Sequence, residues 1–316
     1  MTRTKMIIDA DTGIDDALAI LYGLKSPKIE LEGITTVFGN IPVEQATDNT
    51  LRILKLAGRE NEIPVSQGAS GPLVRTLDGF ATHVHGGNGI GDVEIPTSSQ
   101  RRIEEPAADF IVRKAEELKG ELVIVAMGRL TNIAHALQKD PGLTAKVKRL
   151  YVMGGAINVP GNVTPVSEAN IWGDPEAADL VIQSGMPITL VGLDVTMKTM
   201  LSQSHLDSLR RLSKPENEAV VDFIYRSMQY YFDFYREANA YRECAPMHDP
   251  LTVLVAVEPG VVRTQTMHLS VECGGEHCVG MTVADLRRKP SVGSPVQVCV
   301  DVDAQQAIDM LLEVFL

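Results

Sequence analysis

The sequence predicts an α/β fold: an open, mostly parallel (mixed) central sheet, Rossmann-like, flanked by helices, with its active site at the carboxyl ends of the strands. Three observations predict it. β-Branched apolar runs alternate with helical stretches along most of the chain. The runs are apolar almost throughout, as strands covered on both faces must be. Each closes in Gly or a polar residue, so polar side chains collect along one rim.

The first unit sets the pattern. Met6-Ile7-Ile8 reads as a strand and residues 17–24, rich in Ala and Leu, as a helix. Between them stands Asp9-Ala10-Asp11-Thr12-Gly13-Ile14-Asp15-Asp16-Ala17. Four acids so close repel one another, and burial would raise their pKa values unless a cation or hydrogen-bond donors offset the charge. With no Cys or His in the loop, the oxygen-only set suits a hard ion, Ca²⁺ or Mg²⁺. Helix capping would account for one or two of the acids and leave the rest solvated.

Residues 29–37 form a second strand running into Phe38-Gly39-Asn40, which brings Asn40 to a strand's carboxyl end, although Asn also suits a plain turn. Residues 43–56 are helical and stop at Gly58. Residues 66–100, rich in Gly, Pro, Thr and His, predict a long surface loop of the kind that binds or covers ligands. His83 and His85 precede Gly86-Gly87-Asn88-Gly89, where glycines let backbone approach a ligand closely, although a lone loop histidine is more often surface decoration.

A helix over 106–118 and a strand over 120–126 follow, ending at Met127-Gly128, with Thr131-Asn132 expected to cap the helix 133–137. The strand 147–152 closes in Met153-Gly154-Gly155. A polar loop, 158–170, then carries Asn162, Glu168 and Asn170. Asp174-Pro175 reads as cap and first residue of a helix, 187–193 as a strand, and 201–212 and 219–237 as helices. The aromatic band Tyr225, Tyr230, Tyr231, Phe232, Phe234 and Tyr235 is expected to serve core or subunit packing. Asp249-Pro250 again reads as a cap, with His248 incidental, before a helix over 251–257. Antiparallel strands over 262–271, 279–283 and 295–300 precede a closing helix over 304–315.

The whole chain, 1–316, is expected to fold as one domain, with 44% hydrophobic and 22% charged residues typical of a globular protein. A net charge of −12 argues against nucleic acid or an anionic membrane as partner and favours small neutral or cationic ligands. No leader or apolar run of about 18 residues is seen, so a cytoplasmic protein is expected. The cysteines, Cys244, Cys273, Cys278 and Cys299, form no CxxC pair and read as reduced thiols; Cys273 and Cys278 near His277 lack zinc spacing.

Taken in order, the acid loop, Thr35-Thr36-Val37-Phe38-Gly39-Asn40, His85-Gly86 with Gly89, Gly128-Arg129-Leu130-Thr131-Asn132, Met153-Gly154-Gly155, Glu168-Ala169-Asn170 and His248-Asp249-Pro250 resemble the inosine-uridine nucleoside hydrolase family over nearly the whole chain. The resemblance implies hydrolysis of a ribonucleoside to ribose and free base by an enzyme that is a homodimer or homotetramer. It implies Ca²⁺ held by Asp11, Asp16, Asp249 and the carbonyl of Met127, with Asp15 as general base toward water. Asn40, Asn162, Glu168 and Asn170 would hold ribose hydroxyls, Met153 would line the sugar pocket, and His85 would lie near the base. His248 would protonate the departing base, its pKa raised by the acids beside it. That histidine points to the inosine-uridine or pyrimidine branches. Base-specificity residues fall within 225–241, while Ala169 stands where many members carry an aromatic and Pro160 lengthens the turn before Asn162.

The chemistry is coherent, because cleavage at an anomeric carbon builds positive charge that an anionic pocket stabilises. Two other readings start from the same acids. A Mg²⁺-dependent phosphatase of the haloacid dehalogenase type also opens with Asp-x-Asp after a strand, but needs a downstream Lys and a further acid pair that the later strand ends do not offer. A non-catalytic nucleoside- or sugar-binding protein would bind without releasing ribose.

Overall fold

Met6, Ile7 and Ile8 are fully buried, and their alternation divides the interior in two. Met6 and Ile8 face one apolar cluster with Val123 and Val125; Ile7 faces the other with Leu122, Ile124 and Phe110. A strand packed on both faces tolerates no polar alternation, and each such side chain contributes about 1.5–3 kcal/mol on burial. The computed structural model describes residues 3–240 and 243–316.

Along the chain the strands are β1 (Thr4–Ala10), β2 (Ile29–Thr36), β3 (Val65–Gln67), β4 (Leu122–Ala126), β5 (Val147–Met153), β6 (Ile188–Val191), β7 (Met200–Ser202), β8 (Cys244–Pro246), β9 (Val262–Val271), β10 (Thr282–Asp285) and β11 (Ser294–Val302). Among the described residues nine of them form one sheet in the order β10-β9-β11-β6-β5-β4-β1-β2-β3, and β7 pairs with β8 apart from it. The strands from β3 to β11 in that order run parallel; β9 is antiparallel to β11, and β10 to β9. Pairing therefore grows from β1 in both directions, to β2 on one side and β4 on the other. The crevice beyond the carboxyl ends of β1 and β4 is the switch point where such sheets bind ligands.

The helix Ile14–Lys25 leaves β1 at once and is buried from Ile14 to Leu24. It packs against the helix His248–Val257, which is itself buried from His248 to Val255. That contact carries Asp249 to Asp15 and Asp16 from the far end of the sequence.

Several boundaries differ from expectation for tertiary reasons. Residues 201 and 202, expected in a helix, pair as β7 with β8, and the helix begins at Gln203. Leu193 opens the short helix Leu193–Thr196 after β6 ends. The strand expected over 279–283 is displaced to Thr282–Asp285, since Glu272 closes a turn through Gly280 and Met281. Thr131 is the first residue of the helix Thr131–Lys139, and neither it nor Asn132 caps that helix. Within 66–100 lies the helix Thr82–His85, and the stretch is anchored through Ala69 to Asn132, Leu73 to Asp174 and Arg75 to Glu176. No helix among the described residues is long and apolar enough to cross a membrane.

Candidate active site

The acids do not all sit in one loop. Asp9 ends within β1, Asp11 follows it, and Asp15 and Asp16 occupy the first turn of the helix Ile14–Lys25. All four are buried, as is Asp249. One oxygen of Asp9 accepts from Thr35 Oγ1 and Asn132 Nδ2. Asp11 Oδ2 accepts from the Asn40 backbone N–H at 2.7 Å, an approach open because residue 39 is Gly: a Cβ there would stand 1.8 Å from that oxygen. Asp16 Oδ2 accepts from the Gly13 N–H and from Asn40 Nδ2, so Asp16 does part of a capping residue's work. Asp249 is no cap. Its helix starts at His248 and has Met247 before it with no side-chain cap.

Burial pushes every one of these carboxyls up, Asp9 and Asp15 to about 7 and Asp11 and Asp249 well above the ordinary range. For Asp11, Asp15 and Asp249 the next cause is a neighbouring carboxylate; for Asp16, also raised, burial leads and donors oppose it. As carboxylates, Asp9 Oδ2, Asp11 Oδ1 and Asp16 Oδ1 are buried with no donor to accept from. Ligand oxygens of Asp15, Asp16 and Asp249 lie within 4.8 Å of one another. Buried oxygens, mutually repelling and unsatisfied, fit a hard cation. The tight trio includes Asp15 where the sequence reading had Asp11, whose free Oδ1 belongs to the same nest.

Beside the nest opens a cavity of about 550 Å³. Its walls carry Asp15, Asn40, His85, Met127, Met153, Asn162, Glu168, Asn170, His248 and Asp249, so nearly every site residue expected from sequence meets there. Asp11 and Asp16 stand behind this wall. Glu168 caps the helix Ala169–Gly173, its two oxygens accepting from the N–H groups of Asn170, Ile171 and Gly155. Exposed Asn162 holds the turn through the Ala169 N–H, and Asp194 ties Ile157 and Asn158 at the loop's start. Asn170 Nδ2 reaches the Met127 carbonyl.

Histidine behaviour departs from expectation. The Ile14 N–H donates to His85 Nδ1, so His85 carries its proton on Nε2 as a neutral donor, and burial pushes its pKa down to about 3. His248 was expected to be raised by the acids; burial instead lowers it to about 4. Both its nitrogens are engaged, Nε2 with Tyr235 Oη and Nδ1 with Thr196 Oγ1, each at 2.8 Å. The aromatic band, expected as packing, divides its labour. Phe232 joins the core, while Tyr231, Phe234 and Tyr235 also line the cavity, and Tyr231 eases the charge on Asp15. Tyr241, at the end of the specificity segment, lies outside the described residues.

Sequence reasoning missed Thr196, the bond of Tyr235 to His248 and the Thr35–Asp9–Asn132 link. Thr196 follows the carboxyl end of β6, so the strand-end rule contained the signal.

Crowded buried carboxylates beside a pocket walled by amides and aromatic rings, on the carboxyl edge of a parallel sheet, suit a cation-assisted enzyme acting on a small polar molecule. The chain belongs to the inosine-uridine preferring nucleoside hydrolase family, whose model matches residues 6–309. It is 39% identical to Uridine nucleosidase 1 of Arabidopsis thaliana over 96% of this chain and 91% of that protein. Its structure is similar to a plant nucleoside hydrolase, with a TM-score of 0.92 and 36% identity over 99% and 98% of the two chains. A purine-preferring ribonucleoside hydrolase from Gardnerella vaginalis matches with a TM-score of 0.91 and 37% identity over 98% of each chain. With the family comes the reaction class, hydrolysis of the N-glycosidic bond of ribonucleosides, and the phosphatase reading is overturned.

Proposed function

We propose that the protein is a Ca²⁺-dependent ribonucleoside hydrolase of nucleoside salvage. The observation that carries this reading is the buried trio Asp15, Asp16 and Asp249 facing a cavity lined by amides and aromatic rings. Asp11, Asp16, Asp249 and the Met127 carbonyl would hold the ion, which when bound supplies an orienting charge and makes water more acidic. Asp15, the carboxylate on the cavity wall beside the proposed ion ligands, takes the proton from the attacking water.

Asn40, Asn162, Glu168 and Asn170 bind the ribose hydroxyls, with Met153 against the ring. The anionic floor stabilises positive charge as it develops on the sugar. At the other end His85 offers Nε2–H toward the base. His248 serves as the acid: neutral at rest, it takes up a proton from solvent, and as imidazolium it gives that proton to Tyr235 Oη while the Tyr235 hydroxyl passes its own to the departing base, which leaves the imidazole neutral again. The relatives are named for uridine in one case and for purine nucleosides in another, and this chain is proposed to accept inosine and uridine.

The test is a steady-state panel of ribo- and deoxyribonucleosides with Ca²⁺, assayed for reducing sugar. Ribose release from inosine or uridine is expected. Binding without release would support the non-catalytic module. The same reading takes the enzyme as a cytoplasmic homodimer or homotetramer, which light scattering checks for its mass.

A further inference from the structure

Arg129 takes no part in the chemistry proposed above, yet it follows Gly128, where an added Cβ would stand 3.0 Å from Asp11 Oδ1, so its charge is carried beside the acid nest. It lies two residues beyond Met127, past the carboxyl end of β4. Its guanidinium sits over the ring of fully buried Phe38, Cζ 4.6 Å from the centroid. Gly173 leaves the room: a Cβ there would stand 2.1 Å from Arg129 Nε. The charges acting on it are those of Asp11, Asp174, Glu168 and Asp78. Among the described residues no hydrogen bond or ion pair joins the guanidinium to any of them.

A largely buried cation without a contact partner is costly to desolvate. Stacking on a ring offsets part of that cost and fixes a planar group in a slot that a flexible ammonium would fill less firmly. The rest must come from the field of the nearby carboxylates. The guanidinium is placed to act at a distance, since it is held flat and reaches no carboxylate directly.

We propose that Arg129 is a built-in counter-charge that sets the affinity of the acid nest for its divalent cation. It steadies the carboxylates of Asp11 and its neighbours before the ion arrives, and it repels the ion once bound. The inference rests on the reading that the nest holds Ca²⁺.

The test compares wild type with Arg129→Met, which removes the charge but fills the slot, and with Arg129→Lys, which keeps the charge. Calorimetric titration with Ca²⁺ and thermal melting in EDTA and in Ca²⁺ are the readouts. Arg129→Met is expected to bind Ca²⁺ more tightly, on the order of tenfold, because one positive charge no longer opposes another. It should also melt lower in EDTA and gain more from Ca²⁺, while Arg129→Lys stays close to wild type. Arg129→Gln, neutral and planar, repeats the comparison where methionine disturbs folding. Unchanged or weaker affinity in both neutral variants, or lysine behaving like methionine, overturns the inference. Wild type that takes up no Ca²⁺ overturns the calcium reading as well.

Discussion

The side-chain amide of Asn170 donates across 2.6 Å to the carbonyl oxygen of Met127, and the same nitrogen lies 3.3 Å from Met153 O and Sδ. The loop proposed to hold the sugar is thereby tied to the strand end at the rim of the acid nest. A carbonyl has two lone pairs, so the bond leaves Met127 one for a cation. Asn170→Asp sets a carboxylate against that carbonyl and forfeits the bond, at about 1–3 kcal/mol. We expect kcat/KM for a cleaved nucleoside to fall roughly 5- to 150-fold with the circular dichroism unchanged. A variant within twofold of wild type would show the tie to be idle.

Cation removal should act on stability as well as turnover. A ligand at about 100 times its Kd adds about 2.7 kcal/mol, a rise of several degrees in Tm for a chain of this size. EDTA should abolish activity and lower Tm, and Ca²⁺ should restore both. Asp249→Asn removes one of several mutually repelling buried charges, so in EDTA it should melt no lower than wild type, and Ca²⁺ should not raise its Tm. A full calcium response in that variant excludes Asp249 as a ligand.

His248 gives a pH signature of defined sign. Its folded pKa of about 4 lies below the ordinary 6.5, so between those values the unfolded chain binds a proton that the folded chain refuses. Its contribution is intact above the unfolded value and is lost as pH falls from there toward 4. Relative to His248→Gln in Ca²⁺, wild type should lose about 2 kcal/mol between about pH 7.5 and about pH 5 in denaturant titrations. A constant difference across that range would mean that the histidine is not held neutral.

Gly39→Ala should disable the site through geometry alone. The new Cβ would stand 1.8 Å from Asp11 Oδ2, which forces that carboxylate from its seat. A displacement of about 1 Å at such a group costs about a hundredfold in rate. Gly71→Ala, with nothing within 4 Å of its Cβ, is the control and should keep full activity in the same assay.

Local patterns were legible where local forces decide. Met6-Ile7-Ile8 and the acids after it gave the first strand, the helix and the site together, because apolar period and charge crowding need no partner to be seen. The same logic misled at Asp249-Pro250. Asp174-Pro175 has the identical pattern and there the Asp caps, its carboxylate accepting from the Ala177 N–H. At 249 the helix starts two residues earlier in the pattern, at His248 instead of the Pro, and packs on the helix Ile14–Lys25, so the carboxylate turns to the nest instead. His248 was misjudged for a related reason: sequence proximity to acids suggested a raised pKa, whereas burial among Tyr235 and Thr196 dominates. Pairing of β7 with β8 links residues more than 40 apart, a relation that no local period reports.

The pairing of the helices Ile14–Lys25 and His248–Val257 also has a bearing on biosynthesis. Asp15 and Asp16 leave the ribosome well before the partner that completes their cluster, Asp249, which lies more than 230 residues further along the chain. Until then the flank of the first helix that packs on it has no cover from that partner, and apolar surface left open in this way favours aggregation. A product truncated before that point would be a sheet with half a cradle, unable to assemble the Asp15, Asp16 and Asp249 trio however well its early strands had zipped.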